Sequence, residues 1–259
     1  MPVPAKRHCP TLPAVPLALW PAAQTSPQDQ FAGYPPACAA AAAPMLPELA
    51  RRIVKEYTSR RATVVGLGSG ATTTVIEAAL LGRRAIGITP DASEARAARS
   101  CFDRLLDPRP RASAQVRIGG ASPLSQVLSD VAGRVNLICI SGSHERAARD
   151  PAGTLTEGAS RCCPPRRQSA SGPHTNESRR QRRLSLTVSA GTYRMCLDLL
   201  RPGGILVTLT TNSRRAGRLV DRAGTAVALA RDAGFYYLQH VVVLVAEVRE
   251  AELAARPST

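Results

Sequence analysis

The stretch Ala62–Ala98, ATVVGLGSGATTTVIEAALLGRRAIGITPDASEARAA, opens with a β-branched run, Ala62–Val65, that enters Gly66-Leu67-Gly68-Ser69-Gly70. An apolar helical pattern follows, with Val75, Ala78 and Ala79 on one side, and Gly82 stops it. Arg84–Ile88 then reads as a second short strand. Strand, glycine turn, helix, strand is the first crossover of an open parallel α/β sheet. Glycines in such a turn let backbone approach a ligand, and the next helix offers unpaired N–H groups at its start. The same string also occurs as an ordinary tight turn, so the turn alone leaves cofactor binding and plain chain reversal both open.

Outward from this centre the pattern repeats. Met45–Thr58 is an amphipathic helix with Leu46, Leu49, Ile53 and Tyr57 on one stripe. Asp91–Leu106 predicts a helix, Gln115–Ile118 a strand and Leu124–Val131 a short helix. Val135–Ile140 (VNLICI) is a continuous apolar run, as in a strand buried on both faces. It ends in Ser141-Gly142-Ser143-His144. Leu186–Leu200 predicts a helix, Arg201-Pro202-Gly203-Gly204 a tight turn, and Ile205–Thr210 a strand. Asn212–Gly234 carries another helix, and Phe235–Val248 reads as one long terminal strand. The order predicts a doubly wound, mainly parallel sheet whose ligands lie beyond the strands' carboxyl ends.

The 259 residues divide into a Pro/Ala-rich, irregular segment (1–44), a cofactor-binding half (45–144), an insertion (145–185) and the second half of the same domain (186–259). The insertion carries Arg166-Arg167, Arg179-Arg180 and Arg182-Arg183 amid Ser and Pro, a composition expected of disorder. It reads either as a target-binding loop or as a solvated insertion.

The formal charge of +15 invites a polyanionic partner, DNA or RNA. Of 34 basic residues only Lys6 and Lys55 are lysine, so the excess also fits a composition skewed toward arginine throughout. The seven cysteines are scattered without a CxxC pair, which fits a reducing cytoplasm. Cys139 and Cys196 fall inside apolar runs and read as small core residues. No metal-ligand spacing stands out. No apolar run reaches the roughly 18 residues of a membrane span, and Pro13, Pro16 and Pro21 break Leu12–Ala23 as a signal peptide. His240 opens an apolar strand and reads as a half-buried, satisfied residue.

Met45-Leu46-Pro47-Glu48-Leu49, the helix ending in Tyr57-Thr58, and Gly70, Thr73, Thr74, Glu77, Ala78, Leu81, Gly82, Arg83, Ala85, Ile86 and Gly87 fall without a gap on a known pattern. They resemble the S-adenosylmethionine-binding half of the DNA amino-methyltransferases, which methylate the exocyclic amine of adenine or cytosine; a related branch modifies tRNA guanosine. Leu199-Leu200-Arg201-Pro202-Gly203-Gly204 is similar to the turn before a strand in methyltransferase folds. Trp20-Pro21-x-Ala23-Gln24 resembles the family's leader, or is a surface tail with one anchoring Trp. The likeness covers most of the chain outside residues 145–185.

This resemblance implies a Rossmann-like methyltransferase fold and S-adenosylmethionine as cofactor, with Gly68, Gly70 and Thr73 binding it and Ser141 in the catalytic motif. In the family a final antiparallel strand follows the position of Ala255-Arg256-Pro257-Ser258, so the sheet here is expected to lack it and leave an exposed edge.

Four polar positions of the family are altered. Gly66 stands where an acidic residue ends the first strand, and Thr89 where a carboxylate binds the ribose hydroxyls, with Asp91 two residues on as a substitute. Gly120 stands where an aspartate holds the adenine amine. Ser141-Gly142-Ser143-His144 replaces Ser/Asn/Asp-Pro-Pro-Tyr, which binds the target amine and stacks on the flipped base. Only Ser141 fits, and His144 offers a planar ring in place of Tyr. The family's His-Pro-Ala-Lys-type segment is replaced by Ala41-Ala42-Ala43-Pro44. Three readings follow: a family member with impaired or lost methyl transfer that still binds nucleic acid or a partner, a working enzyme with rearranged residues, or a chain that folds poorly.

Overall fold

A computed structural model describes residues 17–22, 25–36, 45–90, 92–119, 124–141, 143–144, 187–211, 213–215, 218–245, 247–249 and 252–254. The expected insertion at 145–185, Asp91, Gly120 and the Ala41–Pro44 segment lie outside the described residues.

The central crossover forms as its sequence predicts. Strand β2 (Thr63–Gly68) passes into helix α3 (Ala71–Leu80) and returns as β3 (Arg84–Thr89). Ahead of it lies α2 (Pro47–Tyr57), which starts with Pro at its first position and buries Leu49, Ala50, Ile53 and Val54. Helices α4 (Ala92–Leu105) and α5 (Pro108–Ser113) lead to β4 (Ala114–Ile118). A turn of helix, α6 (Leu124–Val127), and a 3-10 turn at Ser129–Val131 precede β5 (Val135–Ser141). Helix α7 (Ala190–Leu199), closed by a capping box at Ser189 and Thr192, leads to β8 (Leu200–Leu209). Between β5 and α7 the short strands β6 (Ser143–His144) and β7 (Thr187–Val188) pair in parallel.

The five main strands lie in the order β4-β3-β2-β5-β8, every pair parallel. Alternation along the strands supplies two cores. Val64, Ala85, Leu137 and Cys139 face α2, α3 and α4, whereas Val65, Ile86, Ile138 and Ile140 face Leu128, Tyr193, Cys196 and Leu199. With helices on both faces and the order of strand addition reversing at β2, this is the expected doubly wound, Rossmann-like α/β sheet. Arg201–Gly204, expected as a tight turn before the strand, instead belongs to β8 and bulges out of register between the pairs Val135–Leu200 and Leu137–Ile205.

Two expectations at the ends of the chain are corrected. The N-terminal segment is not wholly irregular: Leu17–Pro21 is a strand, β1, and Pro27–Gln30 a helical turn, α1. Phe235–Val248 is not one long strand. After α8 (Arg222–Asp232), only His240–Leu244 extends as β11, and it pairs in parallel with β1, register Leu17–His240 to Pro21–Leu244. The preceding residues do not pair; Tyr236 and Leu238 are exposed. Two hairpins, β9 (Ser213–Arg215) with β10 (Arg218–Val220) and β12 (Glu247–Arg249) with β13 (Glu252–Ala254), complete the described elements.

Trp20 is buried, with its ring 6.1 Å from that of Tyr57 and the Arg52 guanidinium 4.6 Å over its face. Gln30 ties α1 down, donating to the carbonyls of Ala22 and Thr25 and accepting from the Glu48 amide. Cys139 and Cys196 are free, buried core thiols as expected. Cys101, buried on α4, is disulfide-bonded, which the cysteine spacing did not foretell. His240 is half-buried, and its Nδ1 lies 2.8 Å from the Tyr237 hydroxyl. Among the described residues no helix is long and apolar enough to cross a membrane.

Candidate functional site

Strand β2 is the one flanked by β3 on one side and β5 on the other, so the crevice of an open sheet falls beyond its carboxyl end. The residues there are held tightly. Gly68 is in register with Ser141. The Ser69 amide donates to the Ser141 carbonyl at 3.1 Å, and the Gly70 amide donates to Ser141 Oγ at 2.7 Å. Ser141 Oγ in turn reaches the Leu67 carbonyl at 3.5 Å. The serine is 1% exposed, so the site residue expected to face a target amine is turned into the protein and clamps the glycine turn.

The three glycines have separate causes. Gly68, at φ +87°, takes the left-handed backbone that the reversal requires. At Gly66 a Cβ would meet the Ala71 backbone at 3.0 Å, so that glycine lets α3 start close against β2. At Gly70 a Cβ would stand 2.4 Å from Met45 Cβ and 2.8 Å from Ser141 Oγ. The space there is filled by protein, and it is the half-buried Gly68 and exposed Ser69 that border the crevice. Thr73 is buried in the first turn of α3, and Thr74 Oγ1 bonds back to the Gly70 carbonyl at 3.0 Å. Gly70 is the N-cap of α3 and has no side chain to cap the first amides of that helix.

Beside the turn, β3 ends in Thr89, whose carbonyl accepts from the Gly119 amide at 2.9 Å. The Thr89 hydroxyl donates to a carboxylate oxygen of Glu94, in the first turn of α4. Sequence reading passed over Glu94 because a carboxylate at a helix start reads as an ordinary partner of the helix dipole. The structure therefore brings Gly68, Gly70, Thr73 and Ser141 together at one strand end and adds Thr89 with Glu94 at the next. His144 lies on β6, two residues past β5; its side chain is outside the described residues.

Behind the turn, Glu77 of α3 is 1% exposed. It accepts from Arg51 Nε at 2.9 Å and from the Tyr34 hydroxyl at 3.0 Å. Burial first, and then the neighbouring Glu77 charge, push the Tyr34 phenol far above its ordinary value. This triad joins the N-terminal segment, α2 and α3.

Fold and site together define an open parallel α/β domain with a clamped glycine turn at its switch point. No family model and no curated protein matches the chain. Several solved structures are similar to it. A TehB-like SAM-dependent methyltransferase from Corynebacterium glutamicum is 12% identical over 74% of this chain and 80% of its own, with a TM-score of 0.41. The glycopeptide N-methyltransferase MtfA, solved with S-adenosyl-L-methionine, is 14% identical over 69% and 68% of the two chains, TM-score 0.37. An aminoglycoside resistance methyltransferase, NpmB1, is 16% identical over 71% and 79%, TM-score 0.36.

Proposed function

We propose that the chain is a methyltransferase-type domain of the nucleic-acid amino-methyltransferase kind that binds S-adenosylmethionine beyond the carboxyl ends of β2 and β3, with methyl transfer to a base amine of DNA or RNA impaired or lost. The observation that carries this reading is the Gly68–Ser141 register, which sets a clamped glycine turn at the switch point of the sheet. The residues present fit a nucleoside cofactor in kind. The start of α3, without a side-chain cap, suits an anionic or polar group, and the Thr89–Glu94 pair supplies acceptors for hydroxyls. When bound, the cofactor supplies an activated methyl group.

Impairment follows from what Ser141 does. Its Oγ accepts from the Gly70 amide and is buried, so it is committed to the fold. The rest of the motif, Gly142-Ser143-His144, supplies neither the rigid Pro-Pro carbonyl nor the Tyr ring. Methyl transfer depends on holding donor and acceptor in line, and a stacking platform contributes about 1–3 kcal/mol per base. The +15 charge supports a nucleic-acid partner.

Calorimetric titration with S-adenosylmethionine and its demethylated product, run beside a labelled-methyl assay on DNA and RNA, tests both halves. Binding without incorporation is expected. No heat at millimolar ligand from a demonstrably folded protein overturns the cofactor reading. Incorporation above blank overturns the loss of catalysis. Nucleic-acid affinity that is unchanged between about 50 and 200 mM salt overturns the electrostatic partner, because several phosphate contacts would cost orders of magnitude over that range.

A further inference from the structure

We propose that Glu94 is the ribose-binding carboxylate of this site, aimed by the Thr89 hydroxyl. The inference rests on the cofactor reading above.

A ribose presents two neighbouring hydroxyl donors, and a carboxylate accepts two such bonds at once. A threonine at the end of β3 cannot, because its single oxygen lacks the charge and the second acceptor. The chain places a carboxylate there by another route. Helix α4 begins at Ala92, three residues after β3 ends, so its first turn folds back over the strand end. Glu94, half-buried in that turn, points its Oε2 at Thr89 Oγ1. The hydroxyl donates and fixes one oxygen of the carboxylate. Thr89 itself is 8% exposed and held through its carbonyl by the Gly119 amide, so the aiming group does not drift.

The position suits a sugar. Leu67 of β2 pairs with Ile88 of β3, so Thr89 stands level with Gly68, the glycine bordering the crevice. A nucleoside lying across these two strand ends would have its sugar between the glycine turn and the carboxylate, the arrangement by which open α/β sheets hold ribose. The carboxylate is supplied five residues downstream of the strand end where the chain has threonine. The placement is a property of this chain's loop and helix start.

The test is titration of the full chain with S-adenosylhomocysteine and with its 2′-deoxy analogue, for the parent protein, Glu94→Gln and Thr89→Val, each with a thermal melt. The parent is expected to prefer the ribose ligand. Glu94→Gln should weaken S-adenosylhomocysteine by about 10- to 100-fold, the worth of a charge-assisted hydrogen bond, and the deoxy analogue far less, so that the preference collapses. Thr89→Val should lose part of the same preference, and it decides the matter should Glu94→Gln fail to fold. Equal binding by parent and Glu94→Gln overturns the assignment while leaving the cofactor reading intact. So does an equal loss for both ligands, which would mark a structural role. A folded parent that binds neither ligand overturns the cofactor reading and this inference with it.

Discussion

Ser141 Oγ accepts the Gly70 amide at 2.7 Å, joining the end of β5 to the turn that follows β2 across 71 residues of sequence. A serine at the end of a central strand therefore acts here as a clamp. Ser141→Ala leaves the Gly70 N–H buried without its acceptor, an expected loss of about 1–3 kcal/mol. Urea unfolding should show a lower midpoint with an unchanged slope. A midpoint equal to the parent's would mean the turn holds itself.

Gly70→Ala attacks the same contact from the other side. The new Cβ would stand 2.4 Å from Met45 Cβ, an atom no rotamer of Met45 can move. Overpacking of about 1–3 kcal/mol or more is expected. Thermal melting should show the drop, and a melting temperature at or above the parent's would refute the close approach.

The triad behind the turn predicts an asymmetry. Arg51 is 47% exposed and Glu77 2% on the side-chain measure. Removing Arg51 strands a buried carboxylate, whereas removing Glu77 leaves an arginine that water can solvate. Arg51→Met should therefore destabilise by about 2–3 kcal/mol, more than Glu77→Gln, and Tyr34→Phe by about 1 kcal/mol. Denaturant titration of the three variants gives the ranking, and the reverse order for Arg51 and Glu77 would contradict the burial.

Much of the sheet was legible because its signals are local. VNLICI reads as a doubly buried strand from its own composition, and the glycine turn reads from its flanks. The pairing of β1 with β11 was not legible. LALWP sits among prolines and alanines, and its partner lies more than 200 residues away, so nothing local marks either as half of a sheet. FYYLQHVVVLV reads as one strand by β-propensity, yet only the valine-rich part has a neighbour to bond. At the site, sequence placed the residues but not their directions. Gly70 reads as a cofactor-binding glycine, yet the space a side chain would take there holds Met45. Ser141 was read as facing a substrate, and it faces the turn. Glu94 reads in sequence as any acidic residue in a first helical turn, and only the fold sets it beside Thr89.

Burial pushes three groups up to about 12: the thiols of Cys139 and Cys196, ordinarily at 9.0, and the phenol of Tyr193, ordinarily at 10.0. Each is neutral when protonated, and the folded state holds the proton more tightly than the unfolded chain. Their stabilising effect is thus fully present below pH 9 and lost as pH rises from 9 toward 12. Each group entering that window costs on the order of 1.4 kcal/mol per pH unit. Unfolding free energy measured from pH 8 to 11 should fall with increasing steepness. A flat profile would mean that these side chains reach water in the folded protein.

Trp20 is the single tryptophan of the chain and sits in β1, packed on Tyr57 and beneath Arg52. At 7% exposure its emission should be blue-shifted and poorly quenched by acrylamide. Because β1 bonds β11 and shares the core of α2 and α3, its release should require unfolding of that core. Fluorescence and far-ultraviolet dichroism should then give coincident denaturation curves, the mark of one cooperative unit. Were the segment a tail that merely rests on the domain, fluorescence would shift at lower denaturant while the dichroism stayed native, and changing Trp20 to Ala would leave the dichroism midpoint untouched. The packed arrangement instead predicts that Trp20→Ala lowers that midpoint, through a loss of about 3–5 kcal/mol in unfolding free energy, as in emptying a large aromatic site.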